Sequence, residues 1–275
     1  MKKRNMRWLA LGAVVGALTC GMCAQAQEEV SALAEEEKSP LSVEASVDVL
    51  SDYIWRGMIS NDNPVWQPSV TVGFDAGDFG SLGLNVWQTY DLTHKRGTAT
   101  NSRRAGGLQE IDYTLTYGLS LGDFDLELGH VFYTFPDNNG HSDQEVYASV
   151  AYNNDFVTPS AAAYWNYSDS AGNDTSYVYF TLGLSHDFEV AESLTLSPGA
   201  SLGFGDHAMT GSEGGTELTD STVGLSASYA VTDNFSLGAQ LNYTWTPSHT
   251  LRHEGWMGED KDQILWGGVS AKLSF

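Results

Sequence analysis

The side chains best placed to do chemistry are acids. Glu44, Asp48, Asp52, Asp75, Asp91, Glu110, Asp112, Asp125, Glu127 and Glu145 recur at alternate positions of extended segments through the first half of the chain, and Arg56 and Lys272 are the bases in the same alternation. Carboxylates repeated on one face draw cations into a narrow aqueous passage, and low-dielectric walls strengthen the field. In the second half the matching face is mostly small, hydroxylic or amide: Thr158, Ser160, Thr181, Ser185, Ser226, Gln240 and Asn242, with Asp220 as its one acid. Segment 93–108 is different again, with His94, Lys95, Arg96, Arg103 and Arg104 and no acid among them.

Covalent chemistry needs more than the sequence supplies. Nucleophilic catalysis requires a serine and a histidine within hydrogen-bond reach. His130 falls on an apolar face between Leu128 and Phe132 with no serine within two residues, and a local bulge turning it inward is the expected explanation. His141-Ser142 and Ser248-His249 are read as loop neighbours of a kind that arises by chance. His207, His249 and His253 lack the spacing of metal ligands. No catalytic set, metal or cofactor is expected, and the reading is not that of an enzyme.

The elements that position these residues follow from period. From Ser42 to the end the chain alternates apolar with polar, as in Ile111, Tyr113, Leu115, Tyr117 and Leu119 against Glu110, Asp112, Thr114 and Thr116. Period 2 is the mark of a strand. It predicts twelve strands, over 42–56, 65–76, 82–92, 109–121, 124–135, 144–153, 156–167, 176–186, 193–204, 218–231, 235–246 and 263–275. Most are long for a soluble sheet and match the roughly 9–11 tilted residues that cross a bilayer. The connections alternate, each odd one longer than every even one, as in barrels with short periplasmic turns and longer external loops. No Asp, Glu, Lys or Arg falls on the apolar face. Aromatics gather near strand ends: Trp55, Trp66, Tyr90, Trp165 and Trp245 at one rim, and Phe74, Phe124, Tyr152, Tyr229 and Phe235 at the other.

The fold class expected is therefore all-β: a transmembrane antiparallel up-and-down barrel of about twelve strands, closed by pairing the last with the first. An even strand number places both termini in the periplasm. Closure is required because an open edge leaves unpaired amides in lipid.

Composition agrees. The 275 residues carry 35 Asp and Glu against 13 Lys and Arg, a net charge of −22, which argues against a nucleic-acid partner. A hydrophobic content of 41% can bury a core. A mean hydropathy of −0.24 is too polar for a helical membrane protein. Residues 1–26 have the layout of a cleaved secretory signal: Lys2, Lys3, Arg4 and Arg7, an apolar stretch, then Ala24-Gln25-Ala26. Both cysteines, Cys20 and Cys23, lie within it, so the exported chain needs no disulfide. Residues 27–41 read as an acidic, disordered tail, leaving 42–275 as the barrel.

Two stretches carry a family resemblance. Ser51, Asp52, Tyr53, Trp55, Arg56 and Gly57 form a Ser-Asp-Tyr-x-aromatic-Arg-Gly element, and Tyr133, Phe135 and Pro136 form a Tyr-x-aromatic-Pro element. The chain resembles the proteobacterial TorF family of porins in these motifs. It departs from the family's usual Ile-Ser-Gln after Arg-Gly, with Met58, Ile59, Ser60 and Asn61 instead. The resemblance implies an outer-membrane barrel and a channel, without a substrate or catalytic residues.

The function expected is an outer-membrane channel of a Gram-negative bacterium for passive diffusion of small solutes, preferring cations. Twelve strands lie between barrels filled by side chains and barrels with an open channel. The basic segment 93–108 either folds inward as a constriction or meets lipopolysaccharide phosphates and solvent outside. The C-terminal Phe275 resembles the signal read by the barrel-assembly machinery, and membrane lipid surrounds the wall. The alternatives are a non-conducting interaction barrel using loops 205–217 and 247–262, the latter with Arg252, Glu254, Trp256, Glu259 and Asp260, and, less favoured, a lipase-like barrel enzyme.

Overall fold

A computed structural model describes residues 39–93, 106–136, 141–169, 176–210, 215–254 and 261–275. In chain order the strands are β1 Leu41–Leu50, β2 Tyr53–Trp55, β3 Met58–Asn61, β4 Val65–Asp75, β5 Ser81–Asp91, β6 Gly107–Leu121, β7 Phe124–Phe135 and β8 His141–Tyr152. They continue as β9 Thr158–Asp169, β10 Tyr177–Ser185, β11 Phe188–Ala191, β12 Leu194–Gly205, β13 Glu217–Thr232, β14 Phe235–Trp245 and β15 Gln263–Ser274. Among the described residues, no helix is long and apolar enough to cross a membrane.

Twelve of these strands close into a single antiparallel barrel in chain order. The last pairs with the first, from Glu44 opposite Ser274 to Leu50 opposite Gly268. Alternation sets the two faces. Leu84, Leu115, Leu182, Leu225 and Val269 point outward and are exposed, while Gln67, Asn85, Thr114, Thr181 and Asn242 point inward and are buried. A one-residue slip would exchange every one of them, so the pattern also fixes register. Irregularities in pairing at Thr89/Tyr90, Gln144/Glu145 and Gly203/Phe204 lie toward the loop rim, where bulges let strands bend.

The outer rims carry the expected aromatics. The rings of Trp66 and Tyr90 meet at a tilt, 5.0 Å between centres, on the loop side, and those of Phe124 and Tyr152 do so at 5.0 Å on the turn side.

Several expectations need correction. The first strand does not run from 42 to 56: it ends at Leu50, and β2 and β3 form a separate two-stranded hairpin. Trp55 is therefore packed against an interior cluster and not on the outer rim. The turn read at 187–192 contains β11, which extends the ladder along β12. His141 and Ser142 are not loop residues; they open β8, opposite Phe135 and Thr134. That lengthening shortens connection 136–140 to the five residues of turn 76–80, so long and short connections no longer separate completely. The signal segment, and the acidic tail up to residue 38, lie outside the described residues.

Candidate pore and its inserted hairpin

The hairpin fills the loop-side half of the bore. Its two central residues, Arg56 at φ 49° and Gly57 at φ 79°, both have positive φ, the geometry of a two-residue type I′ turn, and Trp55 faces Met58 across it. Gly57 is required twice over. A Cβ there would lie 2.7 Å from Cβ of Asp220 on β13 and 2.9 Å from Oγ1 of Thr246 just after β14. Thr246 also donates to the Gly57 carbonyl at 2.8 Å. The hairpin is rooted where Ser51 N–H donates to the Gly267 carbonyl and Leu92 N–H to that of Pro64. Between roots and tip, Tyr53, Ile54 and Ile59 are buried with Leu50, Val65, Trp87, Ile264 and Trp266.

The tip carries Arg56 into an aromatic cage. Its Nη2 donates to both oxygens of Glu145, at 2.7 and 2.8 Å, with the two side chains 3% and 0% exposed. Tyr133 donates to the same carboxylate at 3.0 Å. The guanidinium carbon lies 4.5 Å from the ring centre of Trp55, 4.6 Å from Tyr179, 4.8 Å from Tyr164 and 5.9 Å from Tyr177. Burial works against the charge on Arg56, but the Glu145 carboxylate and the surrounding tyrosines outweigh it and hold the pKa above its ordinary value. The two motif stretches thus meet at one carboxylate, since Arg56 belongs to the first and Tyr133 to the second.

The remaining acids are dispersed around this plug. Glu110 accepts from the hairpin's Tyr53 at 3.0 Å, and Asp112, two residues on, has a buried Oδ1 without a partner among the described residues. Glu127 accepts from Tyr147 at 2.6 Å, whose ring lies where a side chain on Gly129 would be. Glu44 pairs with Lys272 at 2.7 Å near the turn side, with Asp48 further along the same strand. Asp52 is on the link before the hairpin, not on a wall strand; burial pushes its carboxyl pKa up, partly offset by Ser51 and by the charge of Lys261.

Three of the expected lining residues serve the rims instead. Asp75 is exposed and accepts from Gly77 N–H at 2.8 Å, and Asp125 holds Ser120 and Asn153 at the turn rim. Asp91 holds Thr93 at the loop rim. Lys95, Arg96, Arg103 and Arg104 lie outside the described residues, as do Trp256, Glu259 and Asp260. The expected bulge at His130 is absent: β7 pairs without interruption, and His130 stays outside, its Nε2 2.9 Å from the Tyr167 hydroxyl, which donates to Gln144.

Beyond the plug much of the second-half wall presents small residues to the bore. On β10 through β14, Gly183, Ser185, Gly199, Ser201, Gly224, Ser226 and Gly238 face inward and are half-buried. Sequence reasoning missed the cage tyrosines Tyr164, Tyr177 and Tyr179, although their inward parity was visible. It also missed the hairpin, whose one local signal was a glycine after Arg56.

Solved structures with this architecture are outer-membrane barrels. The COG4313 outer membrane channel from Pseudomonas putida F1 superposes with a TM-score of 0.53 at 10% identity, over 90% of this chain and 100% of that one. The NanC porin gives 0.49 at 8% identity, over 85% and 98%. The KdgM porin gives 0.47 at 11%, over 85% and 99%. At such identities the likeness is one of fold. No curated protein matches the sequence. Residues 34–255 match the family described as "Bacterial protein of unknown function (Gcw_chp)", and the chain belongs to that Gcw_chp family.

Proposed function

We propose that this barrel is an outer-membrane channel for passive diffusion of small solutes, with a preference for cations, and that it is a TorF-type porin. The carrying observation is the lumen itself. Its first-half wall holds Asp48, Glu110, Asp112 and Glu127, none of them in an ion pair with a base among the described residues, and beyond the cage tyrosines its second-half wall is mostly small, hydroxylic or amide, with Asp220 as its acid. Carboxylates that ionise within a low-dielectric shell raise local cation concentration. In this reading the chain is exported by its N-terminal signal, both termini face the periplasm, and Phe275 engages the assembly machinery. Lipid and lipopolysaccharide surround the wall. The reading includes no catalytic role.

A second reading has its own support. A hairpin that never leaves the bore would make the protein a non-conducting barrel, acting through its loops. Planar-bilayer recording across a potassium chloride gradient tests both. The expected result is conduction with a reversal potential of cation-selective sign. Anion selectivity would refute the preference, and a folded, unaltered barrel that never conducts would refute the channel and leave the second reading.

A further inference from the structure

The cage around Glu145 has the composition of a ligand site whose occupant is part of the chain. The Glu145 carboxylate has no solvent contact, and the guanidinium it holds is ringed by Tyr164, Tyr177 and Tyr179 of the wall and by the hairpin's own Trp55, a surrounding that favours a planar, weakly hydrated cation. Arg56 fills it imperfectly. One nitrogen, Nη2, serves both carboxylate oxygens, while Nη1 is buried with no partner among the described residues. The fork geometry in which two guanidinium nitrogens meet two oxygens is not reached. The residue also sits at φ 49°, a conformation disfavoured for a side chain of this kind. Both shortcomings come from being held at the tip of a turn, and a free guanidinium would have neither.

We propose that this cage is a recognition site for guanidinium-bearing solutes, and that Arg56 is a tethered competitor which such a solute displaces, releasing the hairpin. The solute class rests on the channel reading, but binding to the cage can be measured without conduction. The tether favours Arg56, because a group on a short linker competes at an effective concentration of about millimolar. Displacement therefore needs solute at that level or above, as a gradient-driven channel would meet it. The hairpin can answer to such a switch because it forms its own two-stranded sheet, separate from the ladder of the wall among the described residues.

The test uses the refolded protein in detergent, with folding followed by the heat-dependent gel mobility of the barrel and binding by ligand-observed NMR with methylguanidinium. Arg56→Asn empties the cage and leaves Asn-Gly, a favoured type I′ pair, so the hairpin keeps its turn. Arg56→Gly serves the same end if the first variant folds poorly. The variant is expected to bind methylguanidinium saturably, about ten-fold or more tighter than the unaltered protein. Adding Glu145→Gln is expected to weaken that binding by about ten-fold or more, since a charge-assisted hydrogen bond is lost. No binding to either folded Arg56 variant would overturn the proposal, as would binding that Glu145→Gln leaves unchanged. Binding by a variant that never conducts would keep the site and refute the channel.

Discussion

Glu145→Gln is the perturbation whose consequence the structure specifies most fully. It changes one oxygen for an amide at a position with no exposure and leaves the Arg56 guanidinium, 3% exposed, without its countercharge. Breaking a buried pair by removing one partner costs about 3–5 kcal/mol, because an uncompensated charge stays behind. At 1.4 kcal/mol per factor of ten, that moves the equilibrium between inserted and released hairpin by about two to three and a half powers of ten. The cost is expected to appear as release and not as unfolding. The wall ladders are continuous without β2 and β3, and the hairpin's backbone ties are at its roots, at Ser51 and Pro64. Single-channel recording should therefore show larger or noisier conductance for Glu145→Gln, with gel mobility still that of a folded barrel. Combining it with Arg56→Asn removes both charges, and replacement of a whole buried pair is often nearly neutral. The double variant should close again relative to either single one. Conductance and noise identical to the unaltered protein in Glu145→Gln would refute the reasoning.

Two further outcomes are expected. Gly57→Ala would force a Cβ to within 2.7 Å of Asp220 at a φ of 79°, costing about 1–3 kcal/mol in overpacking and about 1–2 kcal/mol in backbone strain. It should release the hairpin much as Glu145→Gln does, read by protease cleavage within 53–61 while the barrel stays intact. Leu182→Arg, at a site 51% exposed near the middle of β10, should lower stability in lipid vesicles by about 2–4 kcal/mol, measured by denaturant titration. An unchanged midpoint would contradict a lipid-facing belt.

The legible part of this protein is its wall. A strand of a closed barrel touches lipid on one face and water or packed polar groups on the other, so each residue's environment is decided by parity alone. That information is local. Alternation from Ser42 onward, the exclusion of charge from one face and the final strand ending in Phe275 were enough to read twelve strands, their order and the pairing of the last with the first. Errors at strand ends, such as β11 and the start of β8, arose where polar residues continue a ladder past the point at which alternation weakens.

The interior was not legible in the same way, and residues 42–61, the first strand and the hairpin, show why. Tyr53 and Trp55 continue the parity of Val43 through Val49, so a strand that stays in the wall and a hairpin that turns into the bore have the same period over that stretch. Only the tertiary structure decides between them, because the hairpin's stability comes from partners far along the chain: Glu110, Glu145, the cage tyrosines and Thr246. Arg56 and Glu145 are 89 residues apart, and their contact exists only once the cylinder has closed around them. The sequence by itself determined which side of the wall each strand residue occupies, because that depends on neighbours two positions away. The contents of the bore depend on residues brought together across it, and closure alone sets that distance.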